Sequence, residues 1–169
     1  MHYLMPLLIL AACASTALAD EGVFTKGPMF TDYGPVADID VTMPIPPSTT
    51  FKHSFDVSTP APTGDPNSTL VSAARFINMH TRAGVPVGNI RIAVVVHGKA
   101  IKEMADELSA SAGLIAALTN QGVRIIVCGQ SAAYYDVATD DLLPGVEMAL
   151  SAMTAHAVLQ QQGYTLNPF

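Results

Sequence analysis

The sequence predicts a three-layer α/β/α domain with a mostly parallel five-stranded sheet, preceded by an extended amino-terminal arm. Three observations carry that prediction. The runs "IRIAVVV" (90–96) and "VRIIV" (123–127) are apolar at every position but one, the pattern of parallel strands buried on both faces. From residue 51 onward, strand signals alternate with helical ones, and right-handed crossovers between parallel strands then cover the sheet with helices. Before residue 51 the chain is rich in Pro and Gly and shows no sustained period.

The elements follow in order. In residues 20–50, "MPIPPS" forbids a helix and any central strand. Phe24, Met29, Phe30, Tyr33 and Ile45 are nevertheless too apolar for a bare linker, so the arm should pack along the domain or onto a neighbouring subunit. "FKHSFDV" (51–57) alternates, with Phe51, His53, Phe55 and Val57 on one face and Lys52, Ser54 and Asp56 on the other; it reads as a half-exposed strand near a sheet edge. Asn67 or Ser68 can cap the next helix, in which Leu70, Ala73, Ala74 and Ile77 share a face and Gly84 is the stop. A helical region over Lys99–Gln121, broken around Ser109–Gly113, separates the two buried strands. After residue 127 come a short helical stretch, the loop "VATDDLLPG", a strand through "VEMAL" (146–150), a helix from about Ser151 to Gly163, and a last short strand in "YTLNP". No internal repeat is present. The sum is a flavodoxin-like or Rossmann-like domain over 51–169.

The first 19 residues, "MHYLMPLLILAACASTALA", read as a signal peptide. The apolar core is too short to span a bilayer, and "ALA" before Asp20 fits a small-x-small cleavage site. The segment lacks Lys and Arg, which is atypical. "LAAC" offers the alternative of a lipoprotein lipidated at Cys13, but an apolar core ending by Ala12 would be unusually short. Soluble release into the periplasm is the favoured expectation. Cleavage after Ala19 leaves 150 residues, enough for one sizeable core. The net charge of −6 lies wholly in those 150 residues. An acidic surface without basic clusters argues against nucleic acid and against binding anionic lipid by charge. No second long apolar run suggests a membrane span.

In such sheets, ligands gather beyond the carboxyl ends of the strands, where helix amino termini point. The residues leaving the buried strands are His97-Gly98-Lys99, Cys128-Gly129-Gln130 and, after Leu150, Ser151. If the strands ending at 96 and 127 are neighbours, His97 and Cys128 share one rim. A cysteine just before a helix sees unpaired N–H groups and positive dipole, which favour thiolate, and a nearby imidazolium or Lys99 would lower its pKa further. A thiolate can attack a disulfide or accept sulfane sulfur as a persulfide. The competing reading is packing material, because free cysteine is among the most buried residue types. Compartment argues against that reading, since oxidising surroundings usually pair or eliminate stray thiols. His97 can equally be a histidine bonding a backbone carbonyl, and His53, His80 and His156 read as structural. The histidines, cysteine and methionines show no metal-ligand spacing, and "HGKA" matches no nucleotide fingerprint, so no metal or cofactor is expected. "TDD" (139–141) reads as a turn or cap.

"ARFINMHTRAGVPVGNIRIAVVVHGKA", followed by "LIAALTNQGVRIIVCGQSAAYYDVATDDLLPGVEMALSAMTAHAVLQQQGYTLNPF", resembles the DsrE-like (DsrE/DsrF-like) family, specifically its exported single-domain members. The resemblance spans about residues 51–169 and rests on the combination of strand-"VVHG", strand-"VCGQ", "LLPGV" and "LQQQGY". It implies a five-stranded parallel sheet between helices and homo-oligomers, often trimers or hexamers. It also implies sulfur relay in the best-studied relatives, whose persulfide-carrying cysteine matches Cys128. Two departures stand out. Relay proteins often continue with an "A-A-x-x-R-G" type segment, whereas "SAAYYDVA" puts Tyr135 and Asp136 in the approximate place of Arg-Gly. Export would also separate the chain from cytoplasmic relay partners.

The expectation is an exported, oligomeric thiol or persulfide carrier rather than a turnover enzyme. Cys128 would be the nucleophile, His97 would assist its ionisation, and Gly98, Lys99, Gly129, Gln130 and Ser151 would surround the ligand, with the N–H groups of Gly129 and Gln130 on the anion. The alternative is a non-catalytic ligand-binding or assembly module with an inert Cys128. The sulfur donor or acceptor is not specified by the residues.

Overall fold

A computed structural model describes residues 21–167. The signal peptide expected over 1–19, with Ala19 and Cys13, lies outside the described residues. The strands are β1 (Phe51–Val57), β2 (Ile90–Val96), β3 (Arg124–Cys128), β4 (Val146–Ala149) and β5 (Thr165–Leu166). The helices are α1 (Ser68–Arg82), α2 (Ala112–Asn120), α3 (Gly129–Tyr134) and α4 (Ala152–Gln161). All strand pairs are parallel, in the order β4-β3-β2-β1-β5. β1 is thus one strand in from the edge, flanked by the two-residue β5.

Topology dictates the layers. The chain steps from β1 to β4 in one direction, so right-handed crossovers put α1, α2 and α3 on the same face. The return from β4 to β5 reverses direction and carries α4 across the other face. Two apolar clusters match this division. The larger joins Leu70, Ile77, Ile101, Leu114, Leu118, Val94, Ile125 and Val127; the smaller joins Ala93, Val95 and Ile126 to Ala155 and Leu159 of α4. The β2 side chains are buried on both faces except Arg91, as an interior parallel strand requires.

Local chemistry sets the helix ends. Asn67 caps α1, its Oδ1 accepting from Thr69 N–H at 3.1 Å. Ser151 caps α4, its Oγ accepting from Thr154 N–H at 3.0 Å. The region expected to be helical over Lys99–Gln121 is two pieces: a 3-10 segment over Gly98–Ala105, then α2. Extended backbone at Asp106 separates them, and Leu143 N–H donates to Met104 O at 2.8 Å, tying the first piece to the loop before β4.

The arm packs along α1 of its own chain. Asn78, fully buried in α1, accepts from the N–H groups of Met29 and Phe30 and donates to the carbonyls of Phe30, Tyr33 and Gly34, each at 3.0 Å. Arg82 donates to Thr25 Oγ1, Val36 O and Lys26 O, and Thr25 and Val36 form an antiparallel bridge. Gly34 takes φ +60, and a Cβ there would stand 2.5 Å from Arg75 N. Only glycine lets the arm lie this close to the helix.

His53 and His80 belong to an aromatic cluster. His53 stacks on Phe76 (5.1 Å between centroids), and His80 lies 4.3 Å from Phe51 and 4.0 Å from Phe76. Burial, and then the neighbouring His80, hold the His53 pKa below its ordinary 6.5. Between the folded and unfolded values the unfolded chain binds the proton first. Stability is therefore complete above about pH 6.5 and is lost as pH falls through the depressed folded value. His53→Phe, which keeps the stack, should reduce the fall in Tm between pH 7.5 and pH 5. An unchanged fall would remove His53 as its source.

Candidate functional site

Adjacent strands whose connections leave toward opposite faces open a crevice at their carboxyl ends, and ligands bind there. In this sheet that pair is β3 and β4: β3 runs into α3 on one face, and β4 runs into α4 on the other. Cys128 is the last residue of β3, paired with Ala149 of β4. The free thiol is therefore at the switch point, between two helix amino termini.

Its surroundings are polar where it matters. Burial pushes the Cys128 pKa up. The Ser131 hydroxyl and the N–H groups of Ser131, Ala152 and Gln130 push it down by more, and the thiol ends below its ordinary value. Two of those amides belong to α3 and one to α4. Gly98 N–H donates to Ser131 Oγ at 3.2 Å, which ties the start of α3 to the turn after β2. Ser131 and Ala152 were not singled out by the sequence, and the Gly129 N–H is not among the groups lowering the pKa. The sequence predicts an accessible rim thiol, whereas Cys128 is only 5 % exposed. The thiol is buried, in surroundings that favour its anion.

The other candidate residues divide. Gly129 permits the crevice to close, since a Cβ on it would lie 2.7 Å from Ala149 O. Gln130 Nε2 donates to Leu150 O at 3.2 Å, bracing α3 against the end of β4. The Ser151 hydroxyl is taken up as the α4 cap. Gly98 has φ +57, and a Cβ there would meet Ser58 O at 3.2 Å. Lys99 is exposed. Tyr135 sits under Lys102, whose Nζ is 5.4 Å from the ring centroid. Asp136 adopts φ +57, a left-handed conformation that Asp tolerates and Gly favours. Asp141 accepts from Ala138 N–H at 2.8 Å, the expected turn cap.

His97 follows β2. Val96 pairs with Val127, so the backbone at His97 flanks Cys128 on the neighbouring strand. Its Nε2 lies 3.0 Å from Asp56 Oδ2, and His156 Nε2 lies 2.8 Å from Asp56 Oδ1. Burial raises the Asp56 pKa, but hydrogen bonds from His156 and His97 and their charges outweigh it, leaving a carboxylate more acidic than usual. His156, read from sequence as structural, thus joins His97 on one anion. A signal for Asp56 existed: it is the penultimate residue of β1, at the same end of the sheet as the other candidates. Among the described residues no group of three or more His, Cys, Asp or Glu is placed to hold a metal ion.

The sequence profile of the DsrE/DsrF-like family matches residues 52–168. The chain belongs to that family, which is generally linked to sulfur relay. Two solved structures share the fold of this DsrE/DsrF-like chain. A protein of unknown function, MTH1491 from Methanobacterium thermoautotrophicum, is 21% identical with a TM-score of 0.54, covering 69% of this chain and 97% of its own. The ychN protein from E. coli is 16% identical with a TM-score of 0.51, covering 69% of this chain and all of its own. No curated protein matches the chain. Among the described residues no helix is long and apolar enough to cross a membrane.

Proposed function

We propose that this DsrE/DsrF-like protein is an exported, periplasmic carrier of thiol or persulfide sulfur acting through Cys128, and that it works as a homo-oligomer. The observation that supports this most is the place of Cys128 at the end of β3, paired with Ala149 of β4 where two helices begin, with the Ser131 hydroxyl and three nearby amides holding the thiol below its ordinary pKa. A packing cysteine needs no such donors. A thiolate or persulfide anion does. Gly98, Gly129 and Gln130 shape the crevice, Lys99 and Ser151 border it, and His97 serves the same sulfur. The acidic surface of the chain suits neither nucleic acid nor an anionic membrane.

One observation favours a second reading, a non-catalytic binding or assembly module with an inert thiol: the 5 % exposure of Cys128. A carrier must open the first turn of α3 or α4 to admit a donor. Alkylation of Cys128 across pH, with the mass read after exposure to polysulfide, separates the two readings. The carrier predicts a thiol titrating clearly below the ordinary thiol value that gains one sulfur atom, a gain absent from Cys128→Ser. A thiol that titrates at or above about 8.5 and takes up no sulfur makes the protein a module.

A further inference from the structure

When Cys128 attacks, its thiol proton needs an acceptor, and the group that departs needs a proton. The acid–base groups gathered at this end of the sheet are Asp56 from β1, His97 and exposed Lys99 after β2, Cys128 from β3, and His156 from α4. α3 adds Ser131, which is neutral, and at its far end the exposed Tyr134. An ionised Asp56 only accepts hydrogen bonds. Both Nε2 atoms facing it must therefore carry hydrogen, which leaves Nδ1 as the basic nitrogen of each neutral ring. His156 Nδ1 is buried with no hydrogen-bond partner among the described residues.

Position links the trio to the thiol twice. His97 follows Val96, which pairs with Val127, so it is next to Cys128 across the β2–β3 pair, strands about 4.8 Å apart, and Gly98 N–H donates to the hydroxyl of Ser131 in the helix that Cys128 leads into. On the other side, Ala152, whose N–H serves the sulfur, and His156 are one turn apart on α4, roughly 6 Å along its axis. Asp56 also walls a cleft of about 330 Å³ between the β1–α1 loop and the start of α1, and the His97 side chain is 34% exposed. The trio thus reaches from solvent to the thiol rim.

We propose that Asp56, His97 and His156 form the proton-exchanging group of the Cys128 site, with His97 carrying the proton and Asp56 as the residue that positions both rings. The proposal rests on the carrier reading and accounts for its protons. Cys128 S–H gives its proton to His97 Nδ1. The thiolate attacks the outer sulfur of a donor persulfide, R–S–S–H; the new S–S bond forms as the donor's own S–S bond breaks. The electron pair leaves on R–S⁻, which takes the proton from His97. The products are Cys128–S–S–H and R–S–H. Sulfane sulfur changes partners and no outside oxidant or reductant is consumed.

The test uses the full chain and glutathione persulfide as the donor. Single-turnover sulfur uptake and Cys128 alkylation are followed across pH 5–9 in the parent protein, Asp56→Asn, His97→Gln and His156→Gln, with unfolding curves as a check on folding. Loss of a positioned acid–base group lowers a rate by about 10²–10⁴-fold. Uptake by Asp56→Asn and His97→Gln should be slower by at least the lower figure at pH 7, with a changed pH profile, and His156→Gln should lose less. The alkylation midpoint should stay near that of the parent, because Ser131 and the three amides set it. Parent-like uptake and pH profile in folded Asp56→Asn would overturn the proposal and leave the carrier standing. A parent protein that takes up no sulfur overturns both. If the variants do not fold, Asp56→Glu decides by the same readout: slower uptake with a shifted pH profile supports the role, and parent behaviour overturns it.

Discussion

Asn78→Ala should detach the amino-terminal arm and cost the protein about 3 kcal/mol of stability, a large share of what a domain of this size has. One amide side chain holds five backbone groups of residues 29–34, and Asn78 itself is fully buried. Removing it strands two N–H donors and three carbonyls, each costing about 1–3 kcal/mol if kept from water. The arm limits the loss by lifting away, which uncovers Phe30 and Val36, now 5 % and 1 % exposed; each such side chain contributes roughly 1.5–3 kcal/mol by burial. Unfolding in urea and limited proteolysis of residues 24–36 read the two consequences together. Asn78→Asp should be no milder, since it keeps the acceptor for Met29 and Phe30 but sets a carboxylate against three carbonyl oxygens. A resistant arm in Asn78→Ala would assign the docking to Arg82 and its contacts with Thr25, Lys26 and Val36 instead.

The same residue shows what the sequence does and does not disclose. Apolar period and punctuation suffice for the strands: β1 and β2 have their expected bounds, and β3 lies one residue later than the expected 123–127, taking in Cys128. The rim position of Cys128 follows from strand-to-helix order alone, a local signal. Asn78 instead acts through partners 44 to 49 positions away, and nothing in its neighbourhood marks it. Alternation places Asp56 on the face of β1 opposite Phe55 and Val57 but not its partners, His97 and His156, which are 41 and 100 positions distant. His156 inside a helix shows only its helical period, and that period does not tell which strand the helix crosses. The donors on the sulfur divide in the same way. Gln130 and Ser131 are neighbours of Cys128 in sequence, whereas Ala152 arrives only because β3 and β4 pair and send their helices to opposite faces.

That convergence predicts the second large effect, from one methyl group. Gly129→Ala should raise the Cys128 pKa toward the ordinary thiol value of about 8.5 and destabilise the fold by about 1–3 kcal/mol. The added Cβ would stand 2.7 Å from Ala149 O and 3.3 Å from Leu150 O. Both are backbone atoms at the end of β4 and cannot swing aside as a side chain would. Relief must come from moving the start of α3 away from β4, which withdraws the Gln130 and Ser131 donors from the sulfur and stretches the Gln130–Leu150 brace. Ser131→Ala isolates the polar part of the same effect: it removes one donor without a clash, so the alkylation midpoint should rise less and stability should fall by at most about 1 kcal/mol. The two variants together separate geometry from hydrogen bonding. If Gly129→Ala unfolds early but alkylates with the parent pH profile, the amides of α3 do not tune the thiol, and the helix starts hold the sheet edge together without serving the sulfur.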